Sequence, residues 1–419
     1  MIKRLKPKSE FSRNVLTLMT GTTIAQAIPI AITPILTRIY TPEEFGLLAL
    51  FVAITVILGT IANARYELAI TLPEKEEDAI EIAALGVVIA SFFSVLLLVP
   101  FVFLNEQITN LLDNTQISFW LYCVPLVVWF IGLFNVLSFL NTRYKNYQHI
   151  AKAHIYKSVA LVGVQLILGL FKAGSAGLIL GQIAASLSSV YRLANPINKQ
   201  QLIKAMRNTQ CLWLKAKRYR RFFIYMLPAS LMNALSSNML SLAIPVLFSM
   251  KTLGMYSLAQ RALGAPSAII GSSISQVYLQ QASEEKNKTG KVVTAFRDTL
   301  KKLVLLALVF FLPLYFVVED LFALLFGESW REAGVYAQIL IPYFAVNFIV
   351  SALSVTDSVM EKQFYYAAFN FIMLASVSVF LFFLSFDGFI YFISFLSMLL
   401  IVLYLLYLIL SWLVADARI

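Results

Sequence analysis

The length of its apolar runs limits this chain more than any other feature. From Phe45 to Ala64 almost nothing polar interrupts Leu, Val, Ile, Ala and Phe, and similar runs recur to the end of the sequence. A helix rises about 1.5 Å per residue, so about 20 apolar residues cross the roughly 30 Å hydrocarbon layer of a bilayer. Twelve stretches of that kind stand near residues 14–39, 45–68, 79–104, 116–140, 150–172, 174–193, 222–249, 254–280, 299–318, 334–357, 363–385 and 388–413. A water-soluble globule is excluded by composition: 60% of the 419 residues are hydrophobic and 13% charged, too few to coat a surface of that size. The expectation is an all-α polytopic membrane protein. The fifth and sixth stretches are parted only by FKAGSAG at 171–177. The basic start, MIKRLKPKSEFSR, has the charge of a secretory leader, but the run behind it is too long and further spans follow, so it reads as a retained first helix.

Lys and Arg favour the cytoplasmic loops of membrane proteins. With the N-terminus inside, the 33 Lys and Arg residues, including the cluster Lys3, Arg4, Lys6 and Lys8, fall on the cytoplasmic side with few exceptions. Arg38, Lys172, Lys251 and Arg331 fall outside, and Arg261 lies within a span; Lys157 is counted inside with Arg143, Lys145 and Lys152. Both termini are therefore expected in the cytoplasm, and the net charge of +11 is mostly an orientation signal. It does not point to nucleic acid, because no stacking platform accompanies the scattered basic residues. Cys123 and Cys211 suggest no disulfide framework, and His149 and His154 are badly spaced for a shared metal, so no metal site is expected. Short loops leave no room for a soluble domain, and nothing fits the phosphate loop of an ATPase, G-x-x-x-x-G-K-[ST]. Chemistry must then occur inside the bundle. Transport is expected, not enzymatic catalysis.

An internal repeat organises the chain. PILTRIYTPEEFGLLALFVAI, from Pro34, sets beside PVLFSMKTLGMYSLAQRALG, from Pro245. Pro34 pairs with Pro245, Gly46 with Gly254, and Glu76 and Glu77 with Glu284 and Glu285. Each half holds six spans, an even number, so both begin on the same side and the repeat is parallel. The expected lobes are residues 1–205 and 222–419, joined by a basic cytoplasmic linker at 206–221. That linker mixes apolar and basic residues, as a helix lying along an anionic leaflet does. Two six-helix bundles around a central cavity suit an alternating-access carrier.

LTRIYTPEEFGLLALF, ARYELAITLPEKEEDA and, in the second half, LGMYSLAQRALGAPSAIIGSSISQVYLQQAS resemble the polysaccharide-export branch of the multidrug/oligosaccharidyl-lipid/polysaccharide exporter superfamily, the Wzx-type O-antigen flippases. The resemblance covers essentially the whole chain in length, span count and repeat. It implies a multi-pass protein of the bacterial inner membrane that carries undecaprenyl-pyrophosphate-linked oligosaccharide repeat units of O-antigen or another surface polysaccharide to the periplasmic leaflet. It also implies no cofactor, with membrane lipids and polysaccharide polymerase or chain-length machinery as partners. Related multidrug antiporters share the duplicated plan. A membrane-embedded polymerase or ligase is the enzyme alternative, and would want a large periplasmic loop.

Such a substrate carries a negative pyrophosphate and a hydroxyl-rich head that hydrocarbon excludes. Arg261, seven residues past Gly254, is the mid-span cation, with Gln260 beside it. A charge placed there should face the bundle or an aqueous cavity. Arg65 at the end of span two and Arg38 at the end of span one are further anion contacts, and Gln26, Asn63, Asn233 and Asn238 are candidates for sugar hydroxyls. Two residues apart on a helix, Arg65 and Glu67 would not face each other, so each is expected to meet a different neighbour and Glu67 to serve as a gate. Asp357, with Glu361 four residues on, is the candidate for H+ or Na+ coupling. The orientation has a direct check. A green fluorescent protein fused after Ile419 should fluoresce and an alkaline phosphatase fused there should be inactive; the reverse pattern would place the C-terminus outside.

Overall fold

The computed structural model describes residues 10–383 and 388–417. Lys3, Arg4, Lys6, Lys8, Arg418 and the end of the eleventh apolar stretch lie outside the described residues. Among the described residues there is no strand, and twelve helices have twenty residues or more. In chain order they are α1 Glu10–Ile39, α2 Pro42–Ile61, α3 Glu76–Phe103, α4 Val124–Arg143, α5 Tyr147–Leu170 and α6 Ser175–Ala194, then α7 Leu227–Leu247, α8 Met250–Thr289, α9 Val293–Phe326, α10 Arg331–Leu353, α11 Gln363–Phe383 and α12 Phe389–Ala415. Ten segments are long and apolar enough to cross a bilayer. Those ten leave out α6 and α8. The reason is composition: α6 carries Gln182, Ser186, Ser188 and Ser189, and the apolar part of α8 is interrupted by Gln260, Arg261, Ser267, Ser272, Ser273 and Ser275.

By packing, the chain divides into two compact units, Met1–Val246 and Leu247–Ile419. In the first, α1 and α6 both lie along α5, α3 lies on α4, and α4 reaches α2 and α6. Small residues allow the close α5–α6 approach, since a Cβ on Gly181 would stand 2.5 Å from Gln165 Cγ. Polar side chains then fasten neighbouring helices by donating to carbonyls, as membrane helices do. Ser158 Oγ of α5 donates to Ala25 O of α1 at 2.6 Å, Gln165 Nε2 of α5 to Leu178 O of α6 at 3.2 Å, and Asn141 Nδ2 of α4 to Leu193 O of α6 at 3.0 Å. In the second unit α10 is central, packed against α8, α9 and α12. Phe389 fills the interior beside it, its ring centroid 4.7 Å from Tyr336 and 5.2 Å from Phe248.

The repeat shows in the helix caps. Thr41 caps α2 by accepting from Glu44 N, and Ser249 caps α8 by accepting from Thr252 N. The two caps stand five residues before Gly46 and Gly254, the pair that aligns the halves. Beyond the caps the halves diverge. α8 continues to Thr289, whereas α2 stops at Ile61 and the chain turns through Ala64 and Arg65, both with positive φ, into the 3-10 turn Tyr66–Thr71.

The linker is not simply laid along lipid. Its helix Thr209–Arg218 packs on α3, as does the helix Lys199–Arg207 at the end of the first expected lobe. Lys215, 9% exposed, pairs with Asp78 and, at 3.0 Å, with Glu81, and Tyr66 donates its hydroxyl to Ala216 O at 3.1 Å. The acidic run after span two is thus partly a socket for the linker, with Trp213 and Leu214 left exposed on the other side. Lys215→Ala leaves two carboxylates facing each other without their cation. We expect a loss of about 1–3 kcal/mol, read as a lower thermal midpoint in detergent, together with faster trypsin cleavage between residues 199 and 221. An unchanged cleavage rate would show that the linker is held by other contacts.

Candidate functional site

The break after α2 exists because Asn63 is committed elsewhere. Only 1% exposed, it donates through Nδ2 to Gly86 O of α3 at 3.0 Å and to Gly132 O of α4 at 3.1 Å, while its Oδ1 accepts from Asn135 Nδ2 at 3.5 Å. Burying a carboxamide in hydrocarbon demands such partners. The turn that brings Asn63 inward places Arg65 in the left-handed region, φ 64°. From there its Nε donates to Ser230 Oγ of α7 at 2.7 Å and its Nη1 to Glu67 Oε1 at 3.3 Å. The expectation that Arg65 and Glu67 would not meet assumed α-helix through this segment. The left-handed residue and the 3-10 turn fold the two side chains together instead. Glu67 is 1% exposed and lies outside the spanning segments; burial pushes its carboxyl above the ordinary carboxylate range, opposed by its own backbone N–H and by Arg65.

Arg65 opens onto a cavity of about 310 Å³ within the first unit, walled by α2, α4, α5 and α6. Lys157, Asn135, Gln182, Thr60 and Ser186 share its wall. Lys157 is the unexpected member. Sequence reading counted it with the cytoplasmic cations, yet α5 begins at Tyr147, which sets Lys157 roughly 15 Å along the helix. Its ammonium lies 5.3 Å from the centroid of the Phe134 ring, and no carboxylate among the described residues pairs with it. Two cations, two carboxamides and hydroxyls in a space of this size can bind an anion and hydrogen-bond a polar head. Lys157 was discoverable: an ionisable residue inside an apolar run is a site by default, and Asn135 and Gln182 sit in runs of the same kind.

The family model for polysaccharide biosynthesis proteins matches residues 35–335. The chain belongs to that family. No curated protein matches it in sequence. Among solved structures, the lipid II flippase MurJ in an inward closed conformation is 12% identical, with a TM-score of 0.71 over 95% of this chain and 87% of that one. An inward-facing multidrug resistance transporter of the MOP superfamily is 11% identical, with a TM-score of 0.58 over 96% and 94%. A superfamily transporter from Pyrococcus furiosus, described as having a binding pocket of reverse polarity, is 10% identical, with a TM-score of 0.58 over 97% and 95%. At these identities the likeness is one of fold, and the fold is the one the sequence resemblance implied.

The remaining candidates of this family member lie apart. Arg38 is exposed in the last turn of α1, and Gln26 is exposed higher on the same helix. On α7, Asn233 is exposed and Asn238 bonds back to Ala234 O at 2.9 Å. Arg261 is exposed on α8, and Gln260 donates to Tyr256 Oη at 2.8 Å. Helical spacing sets Arg261 on one face with Gly264, Ala268, Ser272 and Ser275, which line a groove of about 450 Å³ between α8 and α10. Asp357, 1% exposed, accepts from the Tyr407 hydroxyl. Glu361 does not join it: the short helix Val355–Val359 ends, and Glu361 turns out to Lys286 at 2.9 Å. Lys157→Met should weaken binding of inorganic pyrophosphate by about ten- to a hundredfold, from loss of a charged hydrogen bond of about 1.5–3 kcal/mol. Calorimetry on the detergent-solubilised protein reads the change, and affinity equal to wild type would remove Lys157 from the site. Asn63→Ala should instead lower thermal stability, because two buried carbonyls lose their donor.

Proposed function

We propose that this protein is a flippase for lipid-linked oligosaccharides. It would carry polyprenyl-pyrophosphate-linked repeat units of a surface polysaccharide from the cytoplasmic to the periplasmic leaflet of the bacterial inner membrane. The observation that carries this reading is the cavity of Arg65 and Lys157, a cationic, hydrogen-bonding space among spanning helices of a polysaccharide biosynthesis protein. A pyrophosphate supplies the charge those side chains want, and sugar hydroxyls suit Asn135, Gln182 and Ser186. The polyprenyl tail need never leave lipid, so only the head requires a polar route. Among its neighbours in fold stands a lipid II flippase. Alternating access follows from the duplicated plan, with Arg261 and the serine-lined face of α8 as a second polar surface for the head.

A multidrug antiporter of the same fold is the second reading. It would be favoured by a carboxylate in the cavity wall, where this chain has Lys157. The test is transfer of labelled undecaprenyl-pyrophosphate oligosaccharide between leaflets of sealed liposomes. Wild type should accelerate transfer over protein-free vesicles, and Lys157→Met and Arg261→Ala should each slow it by about tenfold, the effect of a weakened charged contact. Loss in Lys157→Met alone would confine the head to the first unit. No transfer with several glycans, alongside proton-driven efflux of cationic dyes, would overturn the flippase in favour of the antiporter.

A further inference from the structure

Arg65 has two duties, and they compete. Arg65 lines the cavity, but its Nη1 is held by Glu67 and its Nε by Ser230. Glu67 places Oε1 on Arg65, whereas Oε2 is buried with no donor among the described residues. A carboxylate in that position is half satisfied. Protonation would remove the charge from this dry site.

We propose that Glu67 is a proton-binding site linked to the substrate anion: a pyrophosphate head binds Arg65 and Lys157 as Glu67 takes up a proton from water, and Glu67 gives the proton back when the head leaves. The inference rests on the flippase reading and names the residue that would couple it to protons. Its basis is local charge. With Glu67 ionised, Arg65, Lys157 and Glu67 sum to one positive charge, and with Glu67 protonated they sum to two. The carboxylate also repels the incoming phosphoryl oxygens and holds the Arg65 hydrogen bond they would use. Protonation removes both obstacles in one step.

Among the described residues, the other charged groups packed against this turn are engaged elsewhere. From α3, Asp78 and Glu81 are both held by Lys215 of the linker. From α4, Arg143 donates to Ile70 O, Glu74 O and Lys75 O. From the segment Phe222–Met226, Tyr225 is exposed, and on the turn itself Tyr66 donates to Ala216 O. Arg65 is the one charged side chain bonded to Glu67 among the described residues.

The sign follows from the raised acid. As pH falls through the titration of Glu67, above the ordinary carboxylate range, anion affinity should rise, by up to about tenfold per pH unit where the linkage is complete. The probe is undecaprenyl pyrophosphate without sugar, titrated into the full-length protein in nanodiscs by calorimetry, in two buffers of different ionisation enthalpy. Wild type should take up close to one proton per lipid more than Glu67→Gln does, and Glu67→Gln should bind as wild type does at low pH, keeping only the pH dependence of the lipid's own terminal phosphate. Equal uptake in wild type and Glu67→Gln comes from the pyrophosphate or another group and overturns the proposal. Should Glu67→Gln fail to fold, the infrared difference spectrum of wild type decides, because a protonated carboxyl band must grow on binding. A lipid that binds without uptake refutes the coupling and leaves the flippase standing; a lipid that does not bind at all removes the anion site and the coupling together.

Discussion

A single carboxamide sets the geometry of the first unit. Asn63 can be buried in hydrocarbon only if its N–H groups find carbonyls, and the two it finds belong to Gly86 and Gly132 on different helices. Both are glycines for a reason of space: a Cβ on Gly132 would stand 3.3 Å from Asn63 Nδ2 and 2.7 Å from Ala90 Cβ. To deliver Asn63 to that point α2 must end at Ile61, and the backbone must turn through two left-handed residues. Arg65 then projects onto the cavity and Glu67 folds back to it. A structural hydrogen bond and the candidate site are therefore consequences of the same turn.

The contrast with the second half makes the point. Thr41 and Ser249 cap α2 and α8, each five residues before the paired glycine. Past the cap, α8 needs no buried carboxamide and continues unbroken to Thr289, leaving Arg261 on a regular helical face. The second unit buries its acid elsewhere, as Asp357 on a short helix against Tyr407. One scaffold holds cations on a cavity wall in one half and a carboxylate shielded by a tyrosine in the other.

What the sequence made legible follows from what periodicity and hydropathy measure. Apolar length gave twelve long helices, and α6 and α8, which fall below the apolar threshold, were still recognisable as helices between their neighbours. Gly46 and Gly254, paired in the sequence, each lie five residues past a helix cap, Thr41 and Ser249. Hydropathy does not register where a helix stops for a buried polar group, and so Arg65 and Glu67 looked like two residues on different faces. Charge counting failed at Lys157 for a related reason: it assigns a cation to the nearest loop, whereas the loop in question ends at Asn146 and the helix begins at Tyr147. The linker shows a contact that hydropathy does not register. Its amphipathic pattern fits a lipid surface, but Lys215 has a closer claim on Asp78 and Glu81.

Lys157 states the energetic logic of the site most simply. An ammonium among spanning helices loses much of its hydration, and the Phe134 face returns about 0.5–2 kcal/mol of that by cation–π attraction. A carboxylate neighbour would recover far more, as Lys215 shows with Asp78 and Glu81 in the linker, where the task is anchorage. At Lys157 such a partner would also neutralise the cavity. Arg65 differs, because its partner is a buried acid that is itself half satisfied. Of the two cations, one is kept without a counter-ion and the other is held by a counter-ion that is easily neutralised. That arrangement would stabilise the empty protein poorly and an anion inside it well, the difference in free energy that the proposed carriage of pyrophosphate heads requires.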